Sequence, residues 1–315
     1  MLNSERPGGE AGTARQPSDD DVAPGLRSVI RADGVTILVA RDAGYCYGVE
    51  RALGITTAAL DQAAKPVASL GPIIHNPSVV AQLEERGVEV VERVEDAPGG
   101  TLIVRTHGVA PQVVLAARAR GLEVVDATCP FVSVAQRKAS ILRDAGYVVV
   151  ILGERDHPEV AGLEGFAGPG AVVVEDADGL PRDTLYGKRV GLVVQTTQTR
   201  ANLASVAAAL APLARELLVH NTICDATEKR QRAACDLAAD VDVVVVVGGR
   251  NSANTARLAQ LCRAIEDRTH HVESAAELLP EWFTGARRIG VTAGASTPDD
   301  EIEATVRTLG GFDDG

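Results

Sequence analysis

Three turns of one kind recur along the chain: Gly44-Tyr45-Cys46-Tyr47-Gly48-Val49, Asp126-Ala127-Thr128-Cys129-Pro130-Phe131 and Asn221-Thr222-Ile223-Cys224-Asp225-Ala226-Thr227. Each follows a short apolar run that reads as a strand (Val35 to Ala40, Leu122 to Val125, Leu217 to Val219). Each opens a segment that reads as a helix (Glu50 to Ala59, Val132 to Leu142, Lys229 to Ala239). A cysteine at a strand end and helix start meets outward-pointing backbone N–H groups, which stabilise a thiolate. Pro130 suits a first helical position, where its missing N–H would be unpaired anyway. The cysteines lie 83 and 95 residues apart, too far for a local zinc knuckle, so they share a site only by converging in space.

The intervening sequence repeats with them. His75, His157 and Ser252 stand 29, 28 and 28 residues past the respective cysteines, each in a polar turn after a Val/Leu/Ile run. A further turn closes each unit, with His107, Thr196 and Ser296 at 61, 67 and 72 residues. Apolar runs such as Thr101–Val104, Tyr147–Leu152 and Val241–Val247 alternate with Ala-rich amphipathic segments, the pattern of α/β units with parallel sheets. Ligands of open parallel sheets bind beyond the carboxyl ends of the strands, so three units with those ends inward enclose one centre. The expected division is a disordered extension over 1–34, α/β domains over 35–128, 129–222 and 223–296, and a segment over 297–315 packing back on the core.

At 315 residues and 45% hydrophobic the chain can bury several cores, built from aliphatic residues because aromatics are only 3%. A net charge of −12 argues against nucleic acid as the main partner but leaves room for a small anion in a local pocket. Residues 1 to 30 hold no apolar signal-peptide core, and no apolar run is long enough to span a bilayer. The reading is a cytoplasmic protein with reduced thiols.

Three thiolates without an obvious fourth suit a metal centre with an open position: zinc with three Cys and one His, or a [4Fe–4S] cluster with three protein-bound irons. Cys235 and Cys262 fall inside helical patterns and read as core residues. Asn251-Ser252-Ala253-Asn254-Thr255 reads as a helix N-terminus suited to an anion. Glu159 follows Pro158 in a helix's first turn, beside His157.

Taken together, Cys46 in Gly-Tyr-Cys-Tyr-Gly-Val, His75-Asn76, Thr106-His107-Gly108-Val109, Asp126-Ala127-Thr128-Cys129-Pro130, His157-Pro158-Glu159-Val160, Gln195-Thr196-Thr197, Cys224-Asp225-Ala226-Thr227, Asn251-Ser252-x-Asn254 and Thr292-Ala293-Gly294-Ala295-Ser296 resemble the 4-hydroxy-3-methylbut-2-enyl diphosphate reductase family, in matching order from about Val35 to Leu309. The resemblance implies a trefoil of three α/β domains around a [4Fe–4S] cluster with an open fourth iron, held by Cys46, Cys129 and Cys224. It implies that His75, His107, His157, Ser252, Ala253 (through its backbone N–H), Asn254 and Ser296 hold the diphosphate, that Thr196 contacts the substrate's hydroxyl end, and that Glu159 donates the proton. The implied reaction is reductive dehydroxylation to isopentenyl and dimethylallyl diphosphate, the last step of the methylerythritol phosphate route, with electrons from a ferredoxin or flavodoxin. Tyr45 and Tyr47 stand where many members have Phe and a smaller residue, and Ala253 where some have Ser. A second reading is an iron–sulfur hydro-lyase acting on a related small phosphorylated substrate without net reduction. A third is a zinc or iron–sulfur binding protein without enzymatic activity.

Overall fold

A computed structural model describes residues 26–30, 34–62 and 65–312. The expectation of disorder over 1–25 and 31–33 lies outside the described residues. Within the same extension, however, Leu26–Ile30 forms a strand (β1), paired antiparallel with Thr36–Ala40 (β2). Its Leu-Arg-Ser-Val-Ile sequence carries no clear alternation, and the pairing comes from the free edge that β2 offers.

Three sheets share one plan. The first holds Val67–Leu70 (β3), Val88–Val91 (β4), Thr101–Val104 (β5) and Glu123–Asp126 (β6), all parallel, in the order β4-β3-β5-β6. The second holds Val148–Leu152 (β7), Val172–Val174 (β8), Arg189–Val194 (β9) and Glu216–Val219 (β10), in the matching order β8-β7-β9-β10. The third holds Val243–Val247 (β11), Thr269–Val272 (β12) and Arg288–Ala293 (β13), in the order β12-β11-β13-β2-β1. Central strands are buried almost throughout because both faces are covered; all five valines of β11 are fully buried.

The fourth strand of the third sheet is therefore β2, from the far end of the chain. The domain expected over 35–128 does not begin with its own first strand: β2 pairs with β13, a contact between residues some 250 positions apart that no local pattern announces. The closure is cyclic. Helix α1 (Tyr47–Gln62) leaves β2 and packs Val49, Ala52 and Leu60 on the first sheet. Helices α2 (Pro77–Glu85) and α3 (Pro111–Ala119) belong to that first unit. Helix α4 (Pro130–Asp144) leaves β6 and packs Ala135, Ala139 and Leu142 on the second sheet. That unit also carries α5 (Pro158–Ala167), α6 (Arg182–Leu185) and α7 (Arg200–Leu210). Helix α8 (Asp225–Ala238) leaves β10 and packs Ala234 and Leu237 against Leu38 and Val244 of the third sheet. Helices α9 (Ala253–Arg263) and α10 (Asp299–Gly310) complete the third unit, α10 laying Ile302 and Leu309 on its core. Among the described residues no helix is long and apolar enough to cross a membrane.

Candidate active site

Every cysteine turn marks the passage from one sheet to the next. The N–H of Cys129 donates to Thr106 O (2.9 Å), that of Cys224 to Thr196 O (3.1 Å) and that of Cys46 to Ala295 O (3.1 Å). Each acceptor ends the strand beside the cysteine's own, namely β5, β9 and β13. The structural equivalence is thus Thr106–Thr196–Ala295, which aligns Thr196 with Thr106 and not with His107; a repeat read by residue counting is one position out of register there.

The carboxyl ends of the three sheets face one cavity of about 110 Å³ lined by Cys46, Cys129 and Cys224. Gly48 permits the approach of two of them: a Cβ there would stand 2.6 Å from Cys129 Sγ and 3.8 Å from Cys46 Sγ. Cys224 caps α8, its sulfur accepting from Thr227 N–H at 3.3 Å. Burial pushes the Cys129 thiol up to about 11 and raises that of Cys224, with the neighbouring cysteines adding to both. The Cys129 and Cys224 thiols would therefore hold their protons unless a cation shared the site. A tetrahedral zinc would hold its sulfurs about 3.8 Å apart. Among the described residues, however, the group of three ligand atoms that falls within 4.8 Å is a set of histidines and not these cysteines. Cys262 is buried in the core beneath α8 and α9, Cys235 is half-buried, and neither lines the cavity.

Those histidines are His75, His107 and His157, delivered by the turns after β3, β5 and β7. Their ring centroids lie 4.5, 5.3 and 5.9 Å apart. Burial lowers the pKa of His75 and His157 to about 4 and that of His107 well below its ordinary value, and the Arg105 guanidinium pushes all three the same way. Arg105 tucks beside Gly71, whose φ of 70° and missing side chain leave it room. The rings are neutral, and both nitrogens of His75 and Nδ1 of His107 lack a partner although buried. His157 accepts from Glu159 N–H through Nδ1 (3.1 Å).

Opposite them, α9 points its N-terminus at the cavity. Ser252 caps it, accepting from Thr255 N–H (3.3 Å), while the buried Asn254 leaves both side-chain polar atoms unpaired. Ser296 Oγ donates to His75 O (2.9 Å), tying the third unit to the first. Buried polar atoms without partners are costly, so neutral donors and a helix N-terminus converging on one space describe a socket for an anion. Ala253, between the capping residues, lines the same space.

Glu159 and Thr196 complete the wall. Glu159 is 2% exposed, and its two oxygens accept from Thr196 N–H (2.7 Å) and Thr196 Oγ1 (2.8 Å). Burial raises its pKa to about 7, the two bonds from Thr196 partly offsetting the rise and Glu154 adding to it. The carboxyl also acts on Cys224, raising that thiol further.

Sequence reading missed two cations, the buried Arg230 and the half-buried Arg105. Arg230 lines the cavity, donates to Gly44 O (2.9 Å) and sits near Cys46 and Cys224. Its signal was an arginine in line with Thr227, Ala234 and Leu237, the buried face of α8. Arg105 adjoins Thr106 and gave no signal of its own.

The family described as LytB protein matches residues 37–310. The chain is 45% identical over 276 residues to 4-hydroxy-3-methylbut-2-enyl diphosphate reductase of Pelobacter propionicus, covering 87% of this chain and 97% of that protein. It is 46% identical over 279 residues to the protein of the same name from Geobacter metallireducens, covering 87% and 97%. Among solved structures, (E)-4-hydroxy-3-methyl-but-2-enyl diphosphate reductase, the terminal enzyme of the non-mevalonate pathway, is similar at TM-score 0.65 and 41% identity, over 87% of this chain and 98% of that one. The corresponding reductase from Plasmodium falciparum is similar at TM-score 0.80 and 27% identity, over 87% of each chain.

Proposed function

Because the chain belongs to the LytB protein family, we propose that it reduces 4-hydroxy-3-methylbut-2-enyl diphosphate to isopentenyl and dimethylallyl diphosphate, the terminal step of the non-mevalonate pathway. The observation that carries this reading is one cavity holding three cysteines, a buried carboxyl with a pKa near neutrality and a socket of unpaired donors. Removing a hydroxyl from an allylic diphosphate uses all three: a redox centre, a proton and a grip on the anion.

Cys46, Cys129 and Cys224 would hold a [4Fe–4S] cluster, and the burial that raises the Cys129 and Cys224 thiols supports a metal centre among them. When bound, the cluster supplies single electrons and an iron open to the substrate oxygen. The protein supplies the rest. His75, His107, His157, Ser252, Asn254, Ser296 and the backbone N–H of Ala253 receive the diphosphate, neutral donors taking up a multiply charged anion without further fixed charge. The anion in turn opposes the lowering of the imidazole pKa values that burial causes. Thr196 holds Glu159 through both carboxylate oxygens, so the acid stays aimed at the substrate's hydroxyl end. The C–O bond breaks as two electrons enter the allyl group. The oxygen departs as water carrying the proton from Glu159, and a second proton completes the new C–H bond. Electrons come from a one-electron carrier such as ferredoxin or flavodoxin.

The relatives' names favour the reductase over a hydro-lyase. Anaerobic protein given the hydroxylated diphosphate should turn over only with a one-electron reductant. Loss of water without reductant would put the hydro-lyase in its place.

A further inference from the structure

Helix α4 is apolar on two sides. Ala135, Ala139 and Leu142 face the second sheet. Flanking that face, Phe131, Val134 and Ile141 are 38, 50 and 47% exposed. With Lys138 they span about 80° of arc and about 15 Å of helix, a continuous row and not scattered single residues. The row begins two residues after Cys129. Tyr47, 62% exposed, follows Cys46 where the first turn of α1 abuts the Cys129 loop, with Arg51 donating to Thr128 O (3.0 Å). On the other flank lies the outer strand β10, with Leu218 and Val219 exposed and His220 close enough to Lys138 to feel its charge.

The charge of the row differs from that of the molecule. Lys138 stands in the row and Arg137 at its edge, in a chain of net −12, while Arg143 lies on the other flank, paired with Asp144 and donating to Phe166 O. Resting on the reductase reading above, we propose that this face is where a small acidic one-electron carrier protein docks. The reaction consumes two electrons, so two reduced carriers must each give up one. A carrier seated on α4 meets the helix that Cys129 caps, beside the α1 helix that follows Cys46. The apolar row offers the buried centre of a contact, and Arg137 and Lys138 offer attraction for an acidic rim.

The test uses the full-length, anaerobically purified holoenzyme and two probes, an acidic [2Fe–2S] ferredoxin and an acidic flavodoxin. Calorimetric binding of one or both should weaken with salt, and by about tenfold or more in the Val134→Glu, Ile141→Glu double variant. Turnover driven by that carrier should fall in parallel, while turnover driven by reduced methyl viologen stays at the wild-type rate. Leu115→Glu, at an exposed apolar residue of α3, should change neither. Unaltered affinity of the double variant for both carriers overturns the proposal. So does a wild-type dimer in sedimentation that the double variant splits, because the face then belongs to a second copy. A wild-type enzyme idle with methyl viologen fails the reductase reading itself, whatever binds to α4.

Discussion

A carboxyl group that must release a proton near neutrality cannot behave as a surface glutamate, and Glu159 is set apart from one by two opposed forces. Burial raises its pKa to about 7, while two hydrogen bonds from Thr196 favour its charged form and limit the rise. The sign follows for stability: a raised carboxyl pKa contributes fully below the ordinary value of 4.5, and the contribution is lost as pH rises through about 7. With Glu159 as the proposed proton donor, activity would follow the same acid form, so turnover in the wild type should decline above about pH 7 with a single titration. Glu159→Gln keeps the shape and discards the proton. The variant should retain its iron, bind substrate and slow by roughly a hundredfold or more, with the alkaline limb gone from what activity remains. If Glu159 only favoured the start of α5, the loss would be about 0.3–1 kcal/mol of stability with little change in rate. A rate within a few-fold of wild type, with the same pH profile, assigns the proton to another group.

At the scale of elements, the anion socket depends on helix ends brought up by parallel strands, and α9 makes the larger share. Its N-terminus carries partial positive charge, Ser252 closes its first turn, and Asn254 holds two buried polar atoms with nothing to bond. In the Ser252→Ala, Asn254→Ala variant, each lost bond to a charged group should cost about 1.5–3 kcal/mol of diphosphate affinity. Calorimetry with inorganic diphosphate measures that loss, and the iron content of the same sample should stay at wild type. Equal affinity in variant and parent would remove α9 from the socket. This element was legible beforehand because a cap is a local pattern, Ser-x-x-Thr after a buried strand. The cysteine turns were legible for the same reason, each being a strand end, a cysteine and a helix start in consecutive residues. What could not be read was non-local. The membership of β2 in the third sheet is settled by β13, and the approach of Arg105 to three histidines by the fold of a loop around Gly71. Arg230 was hidden differently, because a charged residue in a helix is assigned to solvent unless its face is traced.

For the whole molecule the consequence is a ring with a single seam. Two of the three sheets are built from adjacent sequence, but the third is closed by β2, which pairs with β13 and packs Leu38 beneath α8. Cys46 follows β2 directly and Cys224 caps α8, so the packing of Leu38 joins the two elements that present these thiols. Leu210 of α7 is as deeply buried, but in the core of the second sheet among Val190, Leu192 and Val206. Truncating either leucine to alanine should cost about 2–5 kcal/mol, read from urea unfolding of the anaerobic protein. Their effects on the metal centre should part. Leu38→Ala loosens the seam, so iron should pass to a chelator under native conditions markedly faster than in the parent. Leu210→Ala should lose stability to a similar degree and release iron closer to the parental rate, because that core meets the cysteine turns through Ile223 alone and joins no two thiol-bearing elements. Equal release from both variants would mean that the centre senses global stability alone, and that the seam between the chain's two ends does not position its ligands.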